Sequence, residues 1–212
     1  MSETQGVGTH HDLPRGSGVE IFEEHYAGKP GAGWEIDRPQ RALVELARRG
    51  VFRGRVLDIG CGSGDNALML AERGLETTGV DAAPSGIELA REKAARRGLE
   101  ARFLVRDVLR LKEWGERFDT VLDVGLFHCF PDEDRPALVE GVSAVTVPGG
   151  RYVLMCFSDR QPGTRGPRRV SEQEIRTAFA RGWRIEVLRP VELEVAFEPG
   201  VARAWLAVMT RR

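Results

Sequence analysis

The chain has little cysteine, little lysine, no excess charge of either sign and no long apolar run. Its three cysteines, Cys61, Cys129 and Cys156, include no CxxC pair, and an odd number suits a disulfide framework poorly. Free, packed thiols and a reducing cytoplasmic setting are therefore expected. Only Lys29, Lys93 and Lys112 are lysines, which reads as a compositional bias toward arginine. Lys and Arg total 31 against 32 Asp and Glu, a formal net charge of -1. No field is available to draw in nucleic acid or an anionic membrane, and neither partner is expected. No stretch approaches the roughly 20 apolar residues of a membrane span, and the opening MSETQGVGTHHDLPRGSG has no apolar centre of the secretory-signal kind. No internal repeat is visible. At 212 residues the chain suits one α/β domain and is short for two.

Residues 1–17 are polar and without period, which predicts a disordered tail holding His10 and His11. Residues 18–50 form a prelude. Its GKPGAGWEIDRPQ is a loop by its Gly and Pro content, and a helix from Pro39 carries Leu43, Leu46 and Ala47 to a stop at Gly50. The main domain, residues 51–212, then alternates. RVLDIG, ETTGVD, ARFLVRDV, FDTVLDVG and GRYVLMCF read as strands. Between them lie helices over 66–73, over SGIELAREKAARRG with Ile87, Ala90 and Ala94 inward, and over DRPALVEGVSAV with Leu138, Val142 and Val145 inward. Ser171 and Glu174 have capping-box spacing and open a further helix. WRIEVLRPVELEVAF and VARAWLAVMT, separated by EPG, predict an antiparallel hairpin. The expected fold is α/β: a Rossmann-like, doubly wound, seven-stranded and mostly parallel sheet with helices on both faces, closed by a C-terminal antiparallel hairpin. Ligands of such sheets bind at the carboxyl ends of the strands.

The first strand runs into Gly60-Cys61-Gly62-Ser63-Gly64-Asp65. A dinucleotide fingerprint needs a third glycine where Asp65 stands, and an acid at that helix start repels a pyrophosphate. No Gly-Lys-Ser/Thr follows, so a P-loop is excluded. Asp58, Asp81 and Asp107 instead close three successive strands. One acid per strand end suits a ligand with an amine, a ribose and an adenine but no phosphate, the alternative for each acid being a cap or turn.

VLDIGCGSGD resembles the first motif of class I S-adenosylmethionine-dependent methyltransferases. GVDAAP is similar to their ribose-binding motif and VRDV to their adenine-binding segment, while FDTVLDVGLFH and VPGGRYVL resemble their fourth and fifth strand regions. The resemblance covers residues 34–185. It implies S-adenosylmethionine as donor and S-adenosylhomocysteine as product. Gly60, Gly62 and Gly64 would let the backbone approach the methionine part, with Asp58 orienting its amine. Asp81 would hold the ribose hydroxyls beside Ala82, Asp107 and Val108 would take the adenine edge, and Val124 would lie along the methionine part.

The acceptor is less directly written. After strand four comes DVGLFHCFPDED, without the Asn/Asp-Pro-Pro-aromatic turn of enzymes that methylate base amines. His128 sits where a general base would serve a hydroxyl, thiol or ring N–H; otherwise it packs or caps the next helix. GWEIDRPQ resembles the tryptophan-containing segment of small-molecule S- and O-methyltransferases (thiopurine, thiol, halide and heterocyclic-toxin enzymes), in which it folds over the cofactor. Trp34 would then cover the ligand rather than serve as a core tryptophan. Several members carry Gly where this chain has Asp37. The Gly-, Pro- and Arg-rich loop SDRQPGTRGPRRVS reads as a lid that orders on substrate and resembles a segment of the heterocycle-directed group; its Arg165, Arg168 and Arg169 are either attractors of an anionic acceptor or solvated charge.

These readings converge on a cytoplasmic, metal-independent methyltransferase, monomer or homodimer, acting on O, S or N of a small, aromatic or heterocyclic molecule. For a metal-dependent reaction Asp123 and Asp132 lack an evident third ligand. The alternatives are methylation of a thiol or inorganic chalcogen, with Cys129 and Cys156 near the cofactor, and a non-catalytic module that only binds S-adenosylmethionine. A nicotinamide oxidoreductase is disfavoured by Asp65.

Overall fold

The computed structural model describes residues 17–164 and 166–212, the side chain of Ser17 excepted. The tail expected over residues 1–16 and the expectation for Arg165 lie outside the described residues; Ser17, placed in that tail, instead begins a helix. The elements are α1 (Ser17–Tyr26), α2 (Arg41–Arg48), β1 (Arg55–Ile59), α3 (Asp65–Ala71), β2 (Glu76–Asp81), α4 (Pro84–Arg97), β3 (Arg102–Val105), β4 (Phe118–Val124), α5 (Arg135–Val145), β5 (Thr146–Phe157), α6 (Glu172–Ala178), β6 (Trp183–Glu194) and β7 (Val201–Arg211). Short 3-10 helices cover Val108–Glu113 and Phe127–Cys129.

The strands form one sheet in the order β3-β2-β1-β4-β5-β7-β6. The first five pair in parallel, and β7 lies antiparallel between β5 and β6. From β1 the chain winds outward through β2 and β3, then returns to β4 on the other side of β1. The reversal falls between β1 and β4, where Ile59 pairs with Asp123; in sheets of this kind the ligand crevice lies beyond the carboxyl ends of the strands at that point. The β6 edge carries Arg184, Glu186, Arg189 and Glu192 as well as Pro190, features that blunt an edge against further pairing.

Strand alternation divides the core between two faces. On β5, Tyr152, Leu154 and Cys156 pack with Leu138, Val142 and Ile175 of α5 and α6, while Val153, Met155 and Phe157 pack with Leu43 and Leu46 of α2. Each such fully buried aliphatic side chain contributes about 1.5–3 kcal/mol. Trp205 of β7 is buried with its indole N–H donating to the Val170 carbonyl at 2.9 Å, which ties the hairpin to the start of α6. Ser171 and Glu174 form the capping box that their spacing predicts.

Two elements differ from expectation. The stretch ending at Tyr26 is helical, and β3 stops at Val105. Asp107 there takes an extended conformation and accepts the Leu109 N–H at 2.9 Å, capping the 3-10 helix that replaces the end of the strand.

Candidate active site

The chain turns sharply after β1 because Gly62 takes a φ of +52, a left-handed conformation that side chains resist. A Cβ at Gly62 would also collide with the Tyr26 hydroxyl, and one at Gly60 would press on Leu126 at 3.0 Å. Gly64 differs: its missing side chain makes room for Ala90 and Phe103, so it serves the packing of α3 and α4 on the sheet rather than the open side of the turn. Asp65, the acid in the third-glycine position, is buried and held by Lys93 at 2.6 Å and Arg97 at 3.0 Å.

Of the strand-end acids, Asp58 is 1% exposed, and its Oδ2 has no hydrogen-bond partner among the described residues. Burial pushes its carboxyl far above the usual range, the charges of Asp123 and Asp81 push it further, and a backbone bond from Ala67 opposes them. An orphaned buried acceptor costs about 1–3 kcal/mol, more when charged. A cationic donor group at this position relieves that cost. Asp81 accepts the N–H groups of Gly62 and Ala83, both at 2.9 Å, so it ties the end of β2 to the glycine turn, with Ala82 half-buried beside it. Burial raises its carboxyl as well. Asp107 is exposed in its cap, and Val108 packs its side chain into the core. Whatever Val108 offers to a ligand edge is therefore backbone.

The prelude folds over this turn. Trp34 donates its indole N–H to the Tyr26 hydroxyl at 2.9 Å and meets Phe22 and His25 edge-on, at 5.0 and 5.1 Å between centroids. Next to it, Glu35 accepts the Ser63 hydroxyl at 2.5 Å. Burial raises the Glu35 carboxyl, while the bond from Ser63 and the charge of Lys93 pull it down. Glu23 of α1 accepts both the N–H and the hydroxyl of Ser85, docking α1 on the start of α4. The sequence alone assigns no site role to Tyr26, Glu35, Ser63 or Lys93. The available signals were weak: the i, i+4 pair Phe22 and Tyr26, and a lysine on the inward side of α4.

Opposite this turn, Val124 ends β4 and is followed by Gly125 and Leu126, all three half-buried. Asp123 points into the core, where it accepts the Tyr152 hydroxyl at 2.8 Å and the N–H groups of Leu126 and Phe127. His128 is 6% exposed, and its Nδ1 accepts the Phe157 N–H at 3.0 Å. A neutral imidazole that accepts at Nδ1 carries its hydrogen on Nε2. The proton-accepting role expected of His128 thus requires the ring to give up its bond to β5. The Cys129 thiol donates to the Gly125 carbonyl at 3.1 Å, and burial pushes it up to about 12. Cys156 lies in the core, where burial raises its thiol as well. In the loop after β5, Arg168 pairs with Asp132 at 2.8 Å and Glu174 at 2.5 Å. Arg169 stacks over Phe157 at 5.5 Å. Neither is simply solvated charge.

Residues 56–150 match the family described as methyltransferase domain. The chain is 36% identical to 2-heptyl-1-hydroxyquinolin-4(1H)-one methyltransferase of Mycobacteroides abscessus over 183 residues, 82% of this chain and 81% of that protein. A solved structure described as the conversion of a disulfide bond into a thioacetal group during echinomycin biosynthesis superposes with a TM-score of 0.82. It is 34% identical and the match covers 91% of this chain and 92% of that one. Magnesium protoporphyrin IX methyltransferase of Synechocystis PCC 6803 with bound SAH superposes with a TM-score of 0.67 over 92% of this chain and 95% of that one. At 20% identity this is a likeness of fold.

Proposed function

This chain belongs to the class I S-adenosylmethionine-dependent methyltransferases and transfers methyl to a heteroatom of a small molecule; from that premise we propose that its acceptor is the acidic hydroxyl of a planar aromatic heterocycle, an N-hydroxyquinolone being the prototype. The observation that carries this reading is that the groups facing the end of β4 are committed elsewhere. Asp123 is turned into the core, the Cys129 thiol is held far above neutrality, and the acceptor nitrogen of His128 is taken by Phe157. With no such group poised to remove a proton, the acceptor must arrive already nucleophilic. A hydroxyl on a ring nitrogen conjugated to a carbonyl ionises more readily than an alcohol and meets that condition.

The donor supplies a methyl group on a positively charged sulfur. Asp58 would hold its ammonium, Asp81 its ribose hydroxyls beside Ala82, and the backbone at Asp107 and Val108 its adenine edge. The turn at Gly60 and Gly62 allows the close approach, with Gly64 behind it as packing, Val124 along the methionine part and Trp34 as cover. The protein then contributes alignment and exclusion of water; orientation alone supplies about 7–11 kcal/mol in favourable cases. His128 acts by fixing the β4 loop against β5. We further propose that transfer needs no metal and takes place in the cytoplasm. In support, the three carboxylates of Glu35, Asp37 and Asp65, which lie within 4.8 Å of one another, have the Lys93 ammonium among them. No helix of the described residues is long and apolar enough to cross a membrane. A sulfur acceptor is the second reading, favoured by the likeness to the thioacetal-forming structure.

The test offers methyl-labelled donor to a 2-alkyl-1-hydroxyquinolin-4-one, an aromatic thiol and a simple alcohol, with product identified by mass. Methylation of the N-hydroxyl first and of the alcohol not at all is the expected order. Preferential methylation of the thiol moves the assignment to sulfur, and turnover of the alcohol overturns it. His128→Asn, which keeps an acceptor for the Phe157 N–H, should stay within about tenfold of wild type, because removing a general base costs about 10²–10⁴-fold.

A further inference from the structure

We infer that Lys93 is a positioning residue for donor binding: its ammonium clamps the Trp34 segment shut over the glycine turn. The inference rests on the proposed reading that the donor lies at this turn. Lys93 lies on the inward side of α4 between Ala90 and Ala94 and is 9% exposed. A lysine buried to that degree costs several kcal/mol unless it is paired, so its contacts explain its presence. Nζ donates to Asp65 Oδ2 at 2.6 Å and to Ser63 Oγ at 2.7 Å. It also lies 3.4 Å from Asp37 Oδ1 and 4.0 Å from Glu35 Oε2. One ammonium thus joins α4, the start of α3, the glycine turn and the covering segment.

Ser63 makes the join continuous, since its hydroxyl accepts from Lys93 and donates to Glu35. Trp34 is the next residue, so whatever holds Glu35 holds the indole in place. Asp37 adds a further indication. It has a φ of +53, a left-handed conformation costly for a side chain, and its carboxylate turns to Lys93. The ammonium therefore supports the turn that carries the segment over the site.

The far end of the segment is fixed separately. Glu194 of β6 takes Arg38 at 2.6 Å and the Arg41 N–H at 2.8 Å, and its main chain exchanges two bonds with the Gln40 side chain. With that end pinned to the hairpin, the Gly33 carbonyl accepting the Ala196 N–H at 2.9 Å and the Trp34 indole bonded to Tyr26, Lys93 is the cation that holds the Glu35 and Asp37 stretch between them. Asp37 is 87% exposed at its side chain, and pairs of that kind are weak and salt-sensitive. Such a clamp opens to admit ligand and closes over it. If the segment grips ligand only when closed, apparent affinity falls with the closed fraction. Replacing Lys93 lowers that fraction without removing a group that touches the donor. Asp65 keeps Arg97, so its buried carboxylate is not orphaned.

The experiment is a double-mutant cycle read by S-adenosylhomocysteine binding and steady-state kinetics on the full chain, with Lys93→Met, Glu35→Gln and the pair. Lys93→Met should raise the S-adenosylhomocysteine Kd and the KM for S-adenosylmethionine about tenfold with kcat within twofold. Adding Glu35→Gln should then cost little more, and Lys93→Arg should recover part of the loss. Unchanged Kd in Lys93→Met, strictly additive effects in the pair, or a loss confined to kcat would each overturn the clamp while leaving the donor site standing. Failure of the wild-type protein to bind S-adenosylhomocysteine would overturn both. A Lys93→Met chain too unstable to assay is replaced by Lys93→Gln, judged by the same outcomes.

Discussion

Asp58 concentrates the chemistry of the site in one side chain: fully buried, raised by burial and by two neighbouring acids, with one oxygen awaiting a donor. Because an ammonium is bound by the ionised carboxylate, donor binding releases a proton wherever free Asp58 is protonated. Affinity for S-adenosylhomocysteine should therefore weaken as pH falls through the raised range and level off above it, and Asp58→Asn should flatten the profile and bind about 100-fold more weakly, the loss of a charge-assisted bond. Calorimetry across pH checks both; a wild-type affinity that is constant with pH contradicts the role. Gly62→Ala should abolish binding at the turn, since its Cβ would meet the Tyr26 hydroxyl at a φ of +52. Asp58 and Gly62 were conspicuous in the sequence because acids and glycines recur where its successive strands end, an acid there otherwise being a cap or turn. Tyr26 and Lys93 were not, since their roles arise from contacts across 36 positions to Gly62 and 28 to Asp65, which no local pattern encodes.

The elements divide in the same way. The inward positions of α4 and α5 followed from helical spacing, and the α6 capping box from two residues three apart. Ser171→Ala should cost about 1 kcal/mol in denaturant unfolding, the usual loss of an N-cap; no loss would mean that packing of Ile175 and Phe179 alone sets the start of α6. The helix α1 has no clear signature in the sequence because its ten residues offer only a short apolar face, and it is docked through Glu23 on Ser85. The apolar run of β3 predicts a strand through Asp107, but that side chain takes a local backbone donor, the Leu109 N–H, and the ladder stops at Val105.

At the scale of the whole molecule, alternation of strand and helix predicted a parallel sheet, and two long strands around EPG predicted the hairpin. The position of β7 between β5 and β6 came only with the structure, because spacing states which strands follow one another and not which pair. Stability against pH is also a property of the whole, and two acids pull it in opposite directions. Burial raises Asp123 from 3.8 to about 6, so the folded chain holds a proton there that the unfolded chain has lost, and this contribution falls as pH rises between those values. Glu174, pulled down to about 2 by Ser171, Arg135 and Arg168, contributes stability above its ordinary 4.5 that is lost as pH falls toward 2. Asp123→Asn should make the first slope shallower without abolishing it, since burial also raises Asp58 and Asp81, and should leave the second, as melting temperature against pH would show; an unchanged slope between pH 4 and 6 would place its origin in those other acids. The central statement, that a methyl donor is held between the glycine turn and the end of β2, is tested most directly by titrating S-adenosylhomocysteine into the wild-type protein and into Asp81→Asn of equal melting temperature. Tight, one-to-one binding by the first and a large loss in the second is the predicted result, and a wild-type chain that takes up no S-adenosylhomocysteine would contradict it.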